Sequence, residues 1–321
     1  MSELRSSILD ILEGSPLRFV FFSRYRFLIM GWGLGVVVLL GVLTGWLVVE
    51  GGILLVAALF CSLGYGFWAL YDIEVAYAGV IGLVALLPFA SLPFSIGFTP
   101  TFLDMALGML FLTWMMPFAL GREKHLIATP LGGPVLAFMF IAVGAFVAGL
   151  SQGALTSYLL RHFAEVLLSI TLFYLVVNTV RDVGRLERLV RILILAATAE
   201  ALIGIVLYVL PDTLTITLLS ALGRLKYPVG PGVLRFIRDD PALMQRATAT
   251  SVDPNVLGSL LNVTLMLTVP QLFAERPLLP RWLLVPIIGS IGVGLALTIS
   301  RGSIGGAGLA VFLIGGFSYR K

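Results

Sequence analysis

Arg246 is followed at short range by Asp253-Pro254-Asn255, and an apolar run then begins. Asp is a favoured N-cap because its carboxylate accepts from free N–H groups of a helix start. Pro suits the first helical position, where its missing N–H costs nothing. A helix is therefore predicted to open at 253–255. The unpaired N–H groups of such a start, at the positive end of the dipole, attract anions. A nearby guanidinium adds a fork of donors matched to phosphate oxygens. The stretch 246–259 thus carries the residue types needed to hold a phosphate or diphosphate. Ser300-Arg301-Gly302-Ser303 repeats the idea, an arginine at a break between two apolar runs. Asp253, Asn255, Ser300 and Ser303 stand with the two arginines as candidate binding groups. Arg235 and Arg238 are secondary candidates, expected on one face of a short helix.

Group transfer to a hydroxyl also needs a base. His125 lies in the short basic loop Gly121–Thr129 and reads as a solvated histidine. His162 opens another apolar run, with Arg161 beside it and Glu165 one helical turn on. Glu165 at that spacing can orient the imidazole of His162 as a base, although an interfacial cap is the plainer role. Glu200 sits inside an apolar run, where a carboxylate is expected to pair with an arginine or to line a cavity. The chain has no Walker loop, no HExxH and no paired-carboxylate pattern. Its one cysteine, Cys61, forms no intrachain disulfide, and no Cys/His spacing suits a metal. No metal and no cofactor are expected.

The elements that position these residues follow from composition. The chain has 321 residues, 59% hydrophobic and 12% charged, against about a quarter charged in ordinary globular proteins. Mean hydropathy is +1.05. Apolar runs of span length recur throughout, which predicts an all-α, polytopic transmembrane bundle. About ten spans are expected, near 27–49, 52–71, 75–93, 102–119, 133–150, 162–180, 190–211, 255–274, 282–299 and 303–318. Residues 1–26 precede them. Glu3, Asp10 and Glu13 exclude a signal peptide, and Leu4, Ile8, Leu9, Ile11 and Leu12 suit a short helix on the membrane surface. Residues 27–321 form a single transmembrane domain.

With the N-terminus in the cytoplasm, 14 Lys and Arg residues fall inside and 7 outside, which accounts for all 21. That bias favours this orientation. It also explains the net charge of +4 without nucleic acid. The run 181–191, with four arginines, reads as a cytoplasmic anchor loop. Small-residue pairs at Gly31/Gly35, Ser290/Gly294 and Gly302/Gly306 suit close helix packing. Met105, Met109, Met115 and Met116 read as lipid-facing or packing residues.

The interval 212–252 is a long outer loop. Asp212 and Thr213 can start a surface helix with Leu214, Leu218, Leu222 and Leu225 as its apolar stripe. Pro228-Val229-Gly230-Pro231-Gly232 then breaks it. Several outer basic residues run against the topological bias and need another reason to be there. On this topology the starts of the runs at Asn255 and Arg301 both face outward, so two helix starts and two arginines meet at the outer leaflet.

Arg246, Asp253-Pro254-Asn255 and Ser300-Arg301-Gly302 resemble the motif region, 246–303 here, of the O-antigen ligase and polymerase superfamily. Pro88, Pro93 and Gly97 between spans, and Thr129-Pro130-Leu131-Gly132 before the fifth, extend the resemblance over most of the chain. It implies a metal-independent inverting glycosyltransferase of the bacterial inner membrane, acting in surface polysaccharide synthesis. The donor would be a polyprenyl-diphosphate-linked glycan on the periplasmic side, held by Arg246 and Arg301. The acceptor would be lipid A-core or another lipid-linked glycan. Family members continue through further spans and an outer loop carrying a catalytic histidine, whereas this sequence ends at Tyr319-Arg320-Lys321. The resemblance therefore implies a truncated chain, a base from elsewhere, or a protein that is not catalytic; truncation is the favoured reading. Two other classes remain open from the residues alone: a transporter or flippase for an anionic lipid or solute, and a non-catalytic membrane scaffold.

Overall fold

The computed structural model describes Val38 and residues 53–92, 99–121 and 125–318. The expected surface segment 1–26, the first span 27–49 with Gly31 and Gly35, Pro93, Gly97 and the last three residues lie outside the described residues. By internal contacts the chain divides into Met1–Tyr65 and Gly66–Lys321. Helix α1 (Ile53–Tyr71) runs through that boundary, and the helices after it belong to the second unit.

The described residues are almost wholly helical. After α1 come α2 (Ile73–Leu86), α3 (Phe102–Ala119), α4 (Gly132–Gly149), α5 (Ser157–Thr179) and α6 (Val183–Val209). A short α7 (Asp212–Ser220) leads into an irregular segment with one two-residue hairpin, β1 (Arg235–Phe236) with β2 (Gln245–Arg246). Then follow α8 (Pro254–Thr268), α9 (Arg281–Leu297) and α10 (Arg301–Ser318). The starts are chemically specified. Asp72, Thr101, Thr156, Asp182 and Asp253 each cap a helix with a side-chain oxygen. At α3 the cap is reciprocal: Thr101 Oγ1 accepts from Asp104 N, and Asp104 Oδ2 accepts from Thr101 N.

Side-chain contacts give each helix a direction. Glu74, at the start of α2, bonds Arg185 and Arg188, at the start of α6. Further along both helices, Leu86 O and Glu200 Oε1 both lie within hydrogen-bond distance of the Thr250 hydroxyl. Helices α2 and α6 therefore run parallel. Helix α3 starts beside the far end of α2, where Phe102 N donates to Ala90 O. Its Thr113 hydroxyl returns to Ala69 O at the end of α1. Helix α5 starts beside α3, through Arg161 and Asp104, and ends beside Tyr77 of α2. Helix α4 is antiparallel to α5: the Tyr174 hydroxyl donates to Gly132 O, and Phe146 stacks on Phe163.

The last three helices repeat the pattern. The chain thus passes alternately between an end marked by Glu74 and an end marked by Arg246. A Cβ on Gly258 of α8 would meet Ser303 Oγ at 2.9 Å and Ser300 Cβ at 3.0 Å, and one on Gly306 of α10 would meet Asn262 at 3.0 Å. Helices α8 and α10 are thus parallel and in close contact. Gly294 of α9 touches Ala201 of α6 and Leu261 of α8, so α9 fills the space between them, antiparallel to α8. The buried core lies here, among Ile194, Ala197, Ala201, Leu257, Leu261, Leu284 and Ile291.

Among the described residues, five helices are long and apolar enough to cross a membrane: α3, α4, α5, α6, and α8 with the 3₁₀ turn that extends it to Leu272. Helix α4 is apolar all round and buries none of its residues. Phe138, Phe140 and Ile141 stand exposed on it. In water such a helix would forfeit about 25 cal/mol for every Å² of apolar surface; lipid removes that cost. The bundle is that of a membrane-embedded, all-α protein.

Several boundaries differ from expectation. Residues 183–191 are the first turns of α6, not a loop, because Asp182 caps them and Glu74 accepts from Arg185 and Arg188. Helix α5 starts at Ser157, capped by Thr156, so His162 lies beyond its first turn. Helix α2 stops at Leu86, short of Pro88. Helix α7 is shorter than expected: it ends at Ser220, Leu222 and Leu225 fall in a 3₁₀ turn, and it packs through Thr215 and Leu219 with Leu214 and Leu218 exposed. The segment after it folds back on the bundle: the buried Tyr227 hydroxyl accepts from Phe89 N, and burial pushes that phenol up to about 12.

The contact at Gly258 sets a stability test. Gly258→Ala forces Ser300 and Ser303 apart and is expected to cost about 1–3 kcal/mol. Gly302→Ala meets nothing within 4 Å and should leave stability nearly unchanged. Thermal unfolding of the two variants in detergent measures the difference.

Candidate functional site: two arginines at paired helix starts

Arg246 ends the short hairpin, directly opposite Arg235. The hairpin's last residue carries the chain toward the α9–α10 turn. There Ala247 N donates to Leu297 O, and Arg246 Nε donates to Thr298 O at 2.8 Å. Arg246 Nη2 donates to Asn255 Oδ1 at 2.9 Å. One guanidinium therefore bridges the turn before α10 and the first turn of α8. Two of its N–H groups are used in this way, and the other donors of the fork have no acceptor among the described residues.

Asp253 caps α8 as its sequence predicts, accepting from Asn255 N at 2.6 Å and Val256 N at 3.3 Å, with Pro254 first in the helix. Helix α10 starts differently. Ser300 and Ser303 are buried, with their hydroxyls 3.1 Å apart, against Gly258. Arg301 is the first residue of α10, is exposed, and makes no hydrogen bond or ion pair with a described residue. A cation at that place opposes the helix dipole, by about 0.3–1 kcal/mol. An anion held there would reverse the sign.

The backbone around the arginines is unusual. Ala249, Val252 and Ile299 all have positive φ, at 49°, 57° and 50°. For the β-branched Val252 and Ile299 this conformation is strained, typically by about 1–3 kcal/mol each. Such strain persists only where surrounding contacts hold it. Here they include Glu200, whose Oε1 accepts from Thr250 N at 3.0 Å and lies 2.8 Å from Thr250 Oγ1 and 3.2 Å from Ser251 Oγ. Glu200 was expected to pair with an arginine or line a cavity; instead it is fully buried under this turn. Its partners are four and five residues from Arg246 and carry no charge, so spacing rules for ion pairs do not find them.

Arg235 and Arg238 do not share a helical face. Arg235 is in β1, with Nε 3.4 Å from Val252 O, and Arg238 sits in a left-handed turn at φ 58°. Backbone pairing to Gln245–Arg246 wins over helix formation there. Arg235 stays beside the site, and Arg238 is exposed.

His162 and Glu165 lie at the same end of the bundle, on α5. His162 Nδ1 is 2.9 Å from Glu165 Oε2, while Arg161 bonds Glu165 Oε1, Asp104 and Thr99 O. With Phe138, Val166, Ser169 and Ile170 they line an open groove of about 460 Å³. Helix α5 packs on α4 and α3, so this histidine is held apart from the Arg246 turn. Among the described residues no group of His, Cys, Asp and Glu has a metal-binding arrangement. No family model, no curated protein and no solved structure matches this chain.

The cap defines a second test. Asp253→Ala leaves Asn255 and Val256 N–H groups unpaired and should cost about 0.5–2 kcal/mol. Asp253→Asn, which keeps an acceptor, should cost much less. Unfolding midpoints of both variants decide it.

Proposed function

We propose that this chain is a glycosyltransferase of the O-antigen ligase or polymerase type, working on a polyprenyl-diphosphate-linked glycan. One observation carries the reading. Arg246 binds Thr298 O and Asn255 Oδ1 together, so a single cation ties the starts of two parallel helices, and Arg301 heads one of them. The starts of two helices lie together there, one already capped by Asp253 and the other headed by an arginine with no partner among the described residues. That is the complement of a diphosphate.

The topology in this reading has ten spans. The nine long helices α1–α6 and α8–α10 would be preceded by the apolar run 27–49. With the N-terminus in the cytoplasm of a bacterium, the Arg246 end faces the periplasm and residues 212–252 form an outer loop with α7 at the interface. Arg185 and Arg188 then sit on the cytoplasmic side, as the bias in basic residues favours. Membrane lipids surround the bundle, and the prenyl tail of the donor lies among them.

The chemistry is one displacement. An acceptor hydroxyl attacks the anomeric carbon from the face opposite the diphosphate, and a new C–O bond forms as the bond to the diphosphate oxygen breaks. The electron pair leaves with the diphosphate, where negative charge grows. Fixed guanidinium donors stabilise that charge and lower the barrier without a metal. The proton of the acceptor goes to a base. His162, with Nδ1 held by Glu165, stands apart from the Arg246 turn, so it would take that proton through bridging water, with the acceptor glycan in its groove.

The test is transfer of glycan from a polyprenyl-diphosphate donor, in membranes, by the protein made from its natural reading frame. Arg246→Ala and Arg301→Ala should each lower transfer by about 100-fold or more at unchanged membrane levels. Transfer at the unaltered rate in either variant would reject the diphosphate grip. Movement of the lipid-linked donor across proteoliposomes, with no transfer, would replace this reading by a flippase.

A further inference from the structure

We propose that Glu200 is a positioning residue for the arginine site: from α6 it sets the conformation of the 247–253 turn and so fixes Arg246 against the starts of α8 and α10. The proposal rests on the reading of that site as a diphosphate grip.

The turn is held at both ends and in its middle. At one end, Ala247 N and Arg246 Nε are bonded to Leu297 O and Thr298 O. At the other, Asp253 begins α8. Between them lie Ala249 and Val252, both at positive φ. A chain with two such residues in four does not keep its shape by local preference. Thr250 and Ser251, the two residues between, supply the remaining contacts. Both reach Glu200 Oε1, and the Thr250 hydroxyl also lies 2.5 Å from Leu86 O of α2.

Glu200 is 0% exposed, in the same helix as the core residues Ala197 and Ala201. A polar group placed there costs free energy unless it is hydrogen-bonded. Losing it would strand the Thr250 N–H and the Ser251 hydroxyl in apolar surroundings. The turn would rearrange to rescue them, and Arg246 would move with it. All the contacts are made by Oε1, while Oε2 is buried with no partner among the described residues. A glutamine keeps the one oxygen that matters, so Glu200→Gln should preserve the turn and Glu200→Ala should not.

The measurement is hydrogen exchange on the full chain in lipid nanodiscs, paired with binding of undecaprenyl diphosphate. In Glu200→Ala, exchange across 247–253 should rise about tenfold while the start of α6 near Arg185 keeps its protection. Diphosphate binding should weaken about tenfold. Glu200→Gln should stay within about twofold of the unaltered protein in both. If Glu200→Ala does not fold, Thr250→Val removes one hydroxyl at constant shape and should raise exchange at 247–253 by about threefold. Unchanged exchange in the variant that folds overturns the proposal. So does a loosened turn that binds undecaprenyl diphosphate as tightly as before. An unaltered protein that binds no diphosphate, with the turn still loosened by Glu200→Ala, overturns the diphosphate reading and leaves Glu200 as the anchor of the turn.

Discussion

Backbone polar groups that enter an apolar bundle must find partners inside it. The turn 247–253 is where this protein meets that constraint most severely. It drops from the short hairpin onto the ends of α2, α6 and α9 and then starts α8. Regular structure would satisfy its N–H and C=O groups, but the turn is too short for any. Side chains and stray carbonyls take over: Glu200 from α6, Leu86 from α2, Leu297 and Thr298 from the end of α9. Each partner comes from a different part of the bundle. The turn is therefore only as well placed as the packing of the helices beneath it, and Arg246 inherits that placement.

The same economy explains the close approach of α8 and α10. Gly258 and Gly306 have no side chains, so Ser300, Ser303 and Asn262 fill the room instead. Parallel neighbours bring their positive ends together, and dipoles so aligned repel each other. Asp253 offsets part of this at α8. At α10 the sequence adds to the repulsion, by placing Arg301 first. A bundle selected for stability alone would put an acidic residue there. Local rules broken at one place, with strain in Val252 and Ile299 beside it, are the pattern expected where binding rather than folding set the residues.

Much of this fold was legible because it depends on hydrophobic run length and on capping chemistry, both local. Asp253-Pro254 is a helix start in sequence and in structure. Runs of span length gave the helices to within a few residues at most ends. What was not legible depends on partners remote in sequence. Arg185 and Arg188 look like a loop until Glu74, more than a hundred residues away, is seen to hold them in a helix. Arg235 and Arg238 have helical spacing, but pairing with Gln245 and Arg246 outweighs it. Glu200 suggested an ion pair because charge attracts charge in lipid; its partners are two neutral residues, which no spacing rule singles out. Arg246 and Arg301 were singled out by type, and the bonds from Arg246 to Thr298 and Asn255 were not.

The position of the arginines along the bundle also bears on mechanism. A guanidinium at the bilayer centre costs about 2.5–3.5 kcal/mol on insertion scales, and less toward the ends of a helix. Arg301 is the first residue of α10 and Arg246 lies outside any helix, so neither is forced deep. Transporters of the inverted-repeat kind place their ion sites near the midplane, at helices broken there. Here Arg301 stands exposed at an intact helix start, and Arg246, the hairpin's last residue, is bonded to the turn before that helix. In the proposed reading, a ligand with a charged head and a long apolar tail would have its head gripped at the rim and its tail left in lipid. A site of that kind would exchange its ligand sideways, along the membrane, with no need for the helices to rock from one face to the other.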